Sequence, residues 1–215
     1  MDVGLAAFDM DGTLTQGRLV FALADKFGLS EKIKEIQASG QEGHLQTKAI
    51  AALFSGIAKS DLVKAVESIP LTKNCEKAVA IFKEKNYKLG IISDSYTLAA
   101  EMIATRLGMD FVAANELEIV DNKITGRVHM PLGWEKIGCF CKISVCKRYH
   151  LEQQAQKFGV PMEKTMAIGD TKSDLCMIQR AGVGISFMPK DSMIAKASKN
   201  VVREPDMLIV SQFAA

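Results

Sequence analysis

Residues 7–15 read Ala7-Phe8-Asp9-Met10-Asp11-Gly12-Thr13-Leu14-Thr15. The run Leu5–Phe8 that leads into them is continuously apolar, the pattern of a strand buried on both faces of a parallel sheet. In open α/β sheets ligands gather beyond the carboxyl ends of the strands, and Asp9 falls at such an end. Asp11 follows two residues on, and Gly12 lets the chain turn sharply there. Two carboxylates this close can share a divalent cation, and hard oxygen ligands favour Mg²⁺. A calcium loop is the competing explanation, but it needs oxygen ligands at alternate positions, and Leu14 and Gln16 do not continue that pattern.

Two later segments repeat the geometry. Ile91-Ile92-Ser93-Asp94-Ser95 is a strand running into a hydroxyl and an expected helix start, where Ser93 and backbone N–H groups could hold a phosphoryl group. The same residues also read as an ordinary helix N-cap. Ala167-Ile168-Gly169-Asp170-Thr171-Lys172-Ser173-Asp174 is again an apolar strand, a glycine, then acids spaced by four. Asp170 can reach the cation held by Asp9, and Asp174 can ligate it or bond its waters; the alternative is an N-capped helix over 170–173. Three strand-end sites of this kind in one chain point to a phosphate-handling, metal-assisted centre.

Working outward, short apolar runs alternate with helical patterns, which predicts βαβ units and a Rossmann-like, doubly wound parallel sheet of the α/β class. The expected strands are Leu5–Phe8, Leu89–Ser93, Thr165–Ile168 and Gly184–Phe187, with Phe111–Ala113 and Val201–Val202 completing the set. Cys75, Ala78, Val79 and Phe82 form one helical stripe behind an Asn74 N-cap. Ala99, Met102, Ile103 and Leu107 form another, stopped by Gly108. A third helix is expected from Ile143 to Phe158, ending at Gly159 with Pro161 beyond. Between Thr15 and Pro70 there is no strand pattern, only helical stretches such as Leu19–Phe27, Thr47–Phe54 and Asp61–Ser68. Residues 15–72 therefore read as a helical insertion, and residues 1–14 and 73–215 as the α/β core. Glu116–Val128 alternates on either side of Asp121-Asn122, a turn-forming pair, and predicts an antiparallel hairpin.

Composition sets bounds on partners. The net charge of +2 over 215 residues gives no electrostatic case for nucleic acid or an anionic membrane. No apolar run approaches the roughly 20 residues of a spanning helix, and the opening residues, with acids inside a short apolar stretch, do not resemble a secretory signal. Five scattered cysteines fit a reducing compartment, so a cytoplasmic location is expected. Cys139, Cys141 and Cys146 raise a zinc question, but their spacing lacks paired CxxC units, and Cys146 falls on the expected helix with Ile143 and Tyr149; buried reduced thiols are the expectation. His44, His129 and His150 show no metal spacing, and Trp134, with Met130 and Pro131, is expected to pack.

On these motifs the chain resembles the haloacid dehalogenase superfamily, and within it the phosphoserine phosphatase-like branch, along nearly its whole length. The family signature DxDGT is matched by Asp9, Asp11, Gly12 and Thr13, its strand-end serine by Ser93, and its GDxxxD by Gly169, Asp170 and Asp174. The family's phosphate-binding lysine falls best on Lys147, with Lys142 a near competitor. The resemblance implies a small helical cap, an antiparallel flap and a Mg²⁺ cofactor held by Asp9, Asp11 through its backbone carbonyl, and Asp170, with Asp174 alongside. It implies that Asp9 attacks phosphorus to give an aspartyl-phosphate, that Asp11 is the acid and base, and that Ser93 and Lys147 stabilise the phosphoryl oxygens, with Thr13 and Asp94 beside the substrate.

The chain departs from the branch where substrate is chosen. The acid expected at the cap entrance is replaced by Arg18, and the stretch expected to hold a cap arginine, HLQTKAIAALFSG, has none; Phe54 falls near that place. The second motif reads Ser93-Asp94-Ser95 in place of Ser-Gly-Gly. Arg18 suits a second anionic group on a small phosphorylated metabolite, or is a solvated surface residue. Phosphoserine itself, a phosphotransferase using the same intermediate, and a receiver-like signalling module are the rivals; the receiver lacks an acid at the Asp11 position and a helical insertion.

Overall fold

In the computed structural model, which describes residues 3–215, the run Gly4–Phe8 is strand β1 and is buried along its whole length. Met1 and Asp2, the start of the expected core segment 1–14, lie outside the described residues. Six more strands follow: β2 (Tyr87–Tyr96), β3 (Phe111–Val120), β4 (Lys123–His129), β5 (Thr165–Gly169), β6 (Val183–Phe187) and β7 (Asn200–Val202). They form one sheet in the order β4-β3-β2-β1-β5-β6-β7, parallel throughout except for β4 at one edge. The strand order reverses at β1, so β2, β1 and β5 bring the ends that carry Ser93, Asp9 and Asp170 side by side. This is the switch point at which such sheets bind ligands.

Alternation along the central strands feeds two core layers. Ala6 and Phe8 face one side, packing with Ala78 and Phe82 of α5 (Cys75–Glu84), residues of α6 (Thr97–Leu107), and Met207 and Val210 of α11 (Met207–Ser211). Leu5 and Ala7 face the other side, against Leu151 of α8 (Lys147–Phe158), Met177 and Ile178 of α9 (Leu175–Arg180) and Ile194 of α10 (Ser192–Ala195). Phe8 meets Phe82 edge-to-face, with ring centroids 5.6 Å apart, a geometry that adds to plain apolar burial.

Four helices lie between β1 and α5: α1 (Leu19–Lys26), α2 (Ser30–Ala38), α3 (Gly43–Leu53) and α4 (Lys59–Ser68). Of these, α2 has the most polar sequence, SEKIKEIQA, and Ile33 is its buried residue, which is why no helical stripe marks it in the sequence. The hairpin between β3 and β4 turns at Asp121 (φ 48°) and Asn122 (φ 59°), both left-handed, as a two-residue turn that matches the strand twist requires. The connection between α3 and α4 is stitched to this hairpin: Gly56 donates to the Ile124 carbonyl at 2.8 Å, and Ile124 donates back to Ile57 at 2.8 Å. A short α7 (Trp134–Ile137) precedes the irregular stretch that leads into α8.

Three local expectations are corrected. Asn74 does not cap α5; it takes a left-handed backbone (φ 59°), and its amide donates to both Asp206 carboxylate oxygens at 2.9 and 3.0 Å. The helix expected from Ile143 begins only at Lys147, because backbone bonds pin Ser144 and Cys146 to Leu132 at 2.9 Å each. Cys146 is thus the residue before α8, and Ile143 is on no helix. Ser93 is not at a helix start either: β2 continues to Tyr96, and α6 begins at Thr97. No helix among the described residues is long and apolar enough to cross a membrane.

Gly90 in β2 is fixed by its neighbour strand, since a Cβ there would lie 2.4 Å from the Phe111 ring. Overpacking of this kind costs about 1–3 kcal/mol. Gly90→Ala is therefore expected to lower the urea unfolding midpoint by that amount of stability, and an unchanged midpoint would mean that Phe111 can move aside freely.

Candidate active site

The site is built on the ends of the three central strands. Asp9 follows β1, and its N–H donates to the Ile168 carbonyl of β5 at 2.9 Å, which ties the Asp9 segment to the neighbouring strand. The Asp9 carboxylate accepts the Met10 N–H at 2.7 Å. Gly12 has φ 85°, and a Cβ there would lie 2.3 Å from an Asp170 oxygen. Only a glycine satisfies both the left-handed backbone and this approach.

Lys147 is the first residue of α8 and is completely buried, at 0% exposure. Its ammonium lies 2.8 Å from Asp9 Oδ1 and 2.5 Å from Asp174 Oδ1. Lys142, the competing lysine, instead pairs with Glu42 at the surface. The other oxygen of Asp174 accepts the N–H groups of Asp170 (3.1 Å) and Thr171 (2.9 Å), within a capping box formed with Thr171. Asp174 is therefore committed to holding Lys147 and the turn that presents Asp170. The Asp170 carboxylate accepts only a long 3.4 Å contact from the Thr13 hydroxyl among the described residues, which leaves it available.

Charge in this dry cluster is incompletely balanced. Desolvation and the Asp174 carboxylate push Asp9 well above the usual carboxylate range, although Lys147 pulls the other way. Desolvation, then Asp174, pushes Asp170 up to about 7. Burial alone would lower the Lys147 ammonium, and Asp174 and Asp9 reverse that and hold it above its ordinary value. Carboxylate oxygens of Asp9, Asp170 and Asp174 all lie within 4.8 Å of one another, a hard-oxygen set that could hold a divalent cation.

Asp11 faces a different way. Its carboxylate accepts the N–H of Leu19 at 3.0 Å, so it caps the start of α1 and stands apart from the three clustered acids. Burial pushes it up to about 6, against the Leu19 bond. It lines a cavity of about 610 Å³ between α1–α3 and the sheet ends, together with Arg18, Asp94, Ser95, Thr171 and Thr47. Arg18 is the residue immediately before α1, is exposed, and lies 5.8 Å from the Phe21 ring. Phe54 is absent from the cavity wall; it is fully buried and packs edge-to-face on Tyr96. Ser93 is buried, and its hydroxyl oxygen accepts the Ser95 N–H at 3.2 Å.

One polar chain escaped the sequence. Buried Asn115 donates to the Asp94 carbonyl at 2.7 Å and to the Ser144 hydroxyl at 2.8 Å, and Thr47 of α3 donates to Ser144 at 3.1 Å. It connects the second motif, the sheet, the loop before α8 and the inserted helices. The signal available in sequence was an asparagine inside the otherwise apolar or alternating run of β3, which is a weak one.

The model of the haloacid dehalogenase-like hydrolases matches residues 6–179. A phosphoserine phosphatase of Streptomyces coelicolor is 31% identical over 205 residues, covering 94% of this chain and 48% of that protein. Phosphoserine phosphatase SerB2 of Mycobacterium tuberculosis is 32% identical over 200 residues, covering 90% and 47%. The chain thus spans about half the length of these two relatives. A phosphoserine phosphatase of Streptococcus thermophilus is 27% identical, covering 95% of this chain and 92% of that protein. A solved structure described as a phospho-aspartyl intermediate analogue of phosphoserine phosphatase shares the fold with a TM-score of 0.87, at 24% identity and full coverage of both chains.

Removing the buried cation strands two carboxylates, a loss worth about 3–5 kcal/mol. Lys147→Met in metal-free buffer is expected to destabilise by that much in urea unfolding, and adding Asp174→Asn to recover part of it; a neutral Lys147→Met would contradict the pairing. A pH dependence follows from Asp170. An acid raised in the folded state contributes stability that is lost as pH climbs from the unfolded value, 3.8, through about 7. A cation on the same oxygens offsets that loss, so Mg²⁺ should raise the Tm more above about pH 7 than near about pH 5. Asp170→Asn should abolish the difference.

Proposed function

The chain belongs to the haloacid dehalogenase-like hydrolases, and from that premise we propose that it is a Mg²⁺-dependent phosphomonoesterase acting through an aspartyl-phosphate on Asp9. The observation that carries this is the buried Lys147 ammonium 2.8 Å from an Asp9 oxygen at the switch point of the sheet, with Asp11 on the cavity side. In this reading residues 15–72 are the cap over the α/β core, and the enzyme works in the cytoplasm.

Asp9 attacks phosphorus with one carboxylate oxygen while the ester P–O bond breaks, which splits one hard displacement into two. Lys147 fixes the other side of that carboxylate and spreads its charge. Asp11, pushed up to about 6, retains enough protonated form near neutrality to give its proton to the departing oxygen. As a carboxylate it then takes a proton from the water that attacks the aspartyl-phosphate, releasing inorganic phosphate and restoring Asp9. The Ser93 oxygen already accepts the Ser95 N–H, so its own O–H is free to be donated to a phosphoryl oxygen. Asp9 and Asp170, with Asp174 beside them, would hold Mg²⁺, which when bound supplies the positive charge that lets a carboxylate approach a phosphate dianion.

The substrate is a small phosphorylated metabolite whose second anionic group meets Arg18 at the cavity mouth. Phosphoserine is the second reading, favoured by the names of the relatives. It must then be recognised without a cap arginine, since the stretch 44–56 offers none.

A Mg²⁺-dependent hydrolysis screen over phosphorylated metabolites is expected to find turnover that falls on the order of a millionfold in Asp9→Asn, the scale seen when a covalent nucleophile is removed. Turnover surviving in Asp9→Asn would defeat the mechanism. On the best substrate, Arg18→Ala should raise KM with kcat nearly kept; unchanged KM would return Arg18 to the solvated surface.

A further inference from the structure

A second cluster lies outside the carboxylates. Cys139 and Cys141 come from the loop after α7, Cys146 from the residue before α8, and Cys176 from α9. Their four sulfurs all lie within 4.8 Å of one another, and none is in a disulfide. We propose that Cys139, Cys141, Cys146 and Cys176 bind one zinc ion as a closed, tetrahedral tetrathiolate site that braces the active-site frame.

The geometry suits a single ion. Zinc–thiolate bonds of about 2.3 Å give a tetrahedron with sulfur–sulfur edges of about 3.8 Å, inside the observed spread. A cage this tight leaves no space for a multi-iron cluster between the sulfurs. Backbone N–H groups of Ile143, Tyr149 and Arg148 are directed at Cys141, Cys146 and Cys176, and favour their thiolate forms. Two of those amides belong to the first turn of α8, a twelve-residue helix whose positive end also favours anionic sulfur. Left-handed turns at Gly138 (φ 61°) and Lys142 (φ 47°) curl the chain on both sides of Cys139–Cys141. Trp134, Ile137 and Tyr149 pack around the sulfurs as an apolar casing.

The placement gives the site a purpose. Cys146 directly precedes Lys147, and Cys176 follows Asp174 by two residues, so the ion would clamp together the two backbones that carry the Lys147–Asp174 pair. The same loop supplies Phe140, Cys141 and Ile143 to the cavity wall that faces Gly43 and Thr47 of α3. The clamp thereby sets both the buried ion pair and the side of the cavity opposite the inserted helices.

The test is metal content. Protein reconstituted with zinc and dialysed against buffer containing Mg²⁺ is expected to hold one zinc per chain by plasma mass spectrometry, in the parent and equally in Asp170→Asn. Its Co²⁺-loaded form should show thiolate-to-metal charge-transfer absorption. Cys139→Ser and Cys176→Ser should lose the metal, while Cys75→Ser, away from the cluster, and Cys141→His, a ligand exchange at the partly exposed position, should keep it. If the serine variants do not fold, the stoichiometry and Co²⁺ spectrum of the parent decide. No retained zinc, zinc that disappears in Asp170→Asn, bound iron in its place, or a disulfide among the four by non-reducing peptide mass spectrometry would overturn the proposal.

Discussion

An ammonium with no access to solvent, bonded to two carboxylates, is what the rest of this site depends on. Lys147 is brought there by the first residue of α8, Asp9 by the end of β1, and Asp174 by the turn after β5. No one of these charges is tolerable in that environment alone, because an isolated buried ion costs several kcal/mol. Their mutual placement therefore constrains three separate elements at once. Asp174 carries most of the orientation, since both of its oxygens are occupied, one by Lys147 and the other by the backbone of the Asp170 turn. That arrangement leaves Asp9 aligned and Asp170 open, an anionic pocket with room for a cation.

The different surroundings of Asp9 and Asp11 follow from position along the chain. Asp9 lies in the plane of the strand ends among like charges, whereas Asp11, two residues later and beyond the turn that Gly12 permits, reaches the start of α1. The carboxylate that the proposed mechanism uses for proton transfer is thus the one bonded to the start of the inserted helices. Movement of those helices relative to the sheet would alter the Asp11–Leu19 bond directly, which couples cavity closure to proton transfer in the proposed mechanism. The Asp94–Asn115–Ser144–Thr47 chain gives a second polar connection between the same two parts.

Much of the frame could be read from sequence because its signals are local. The apolar runs at Leu5–Phe8 and Thr165–Ile168, the helical stripes and the Asp121-Asn122 turn each carry their own periodicity or dihedral requirement. The motif acids, too, announced their neighbourhood by falling at strand ends, and the structure brings Asp9, Asp170, Asp174 and Lys147 together. What escaped depended on distant partners. The late start of α8 reflects backbone bonds to Leu132, and the left-handed Asn74 reflects Asp206, far along the chain. Cys176 joined Cys139, Cys141 and Cys146 only through the packing of α9 against α8; three irregularly spaced cysteines gave no warning of a fourth. Phe54 lay near a family position in linear count, yet its ring is turned into the core.

The central claim is that the phosphoryl group passes through Asp9. Turnover mixtures quenched during steady state and treated with borohydride would convert an acyl phosphate at that position to homoserine, which peptide mass spectrometry resolves. The account predicts this mark on Asp9, dependent on both Mg²⁺ and substrate and absent when the substrate is withheld. Efficient turnover that leaves Asp9 unmodified, or places the mark on another carboxylate, would contradict it.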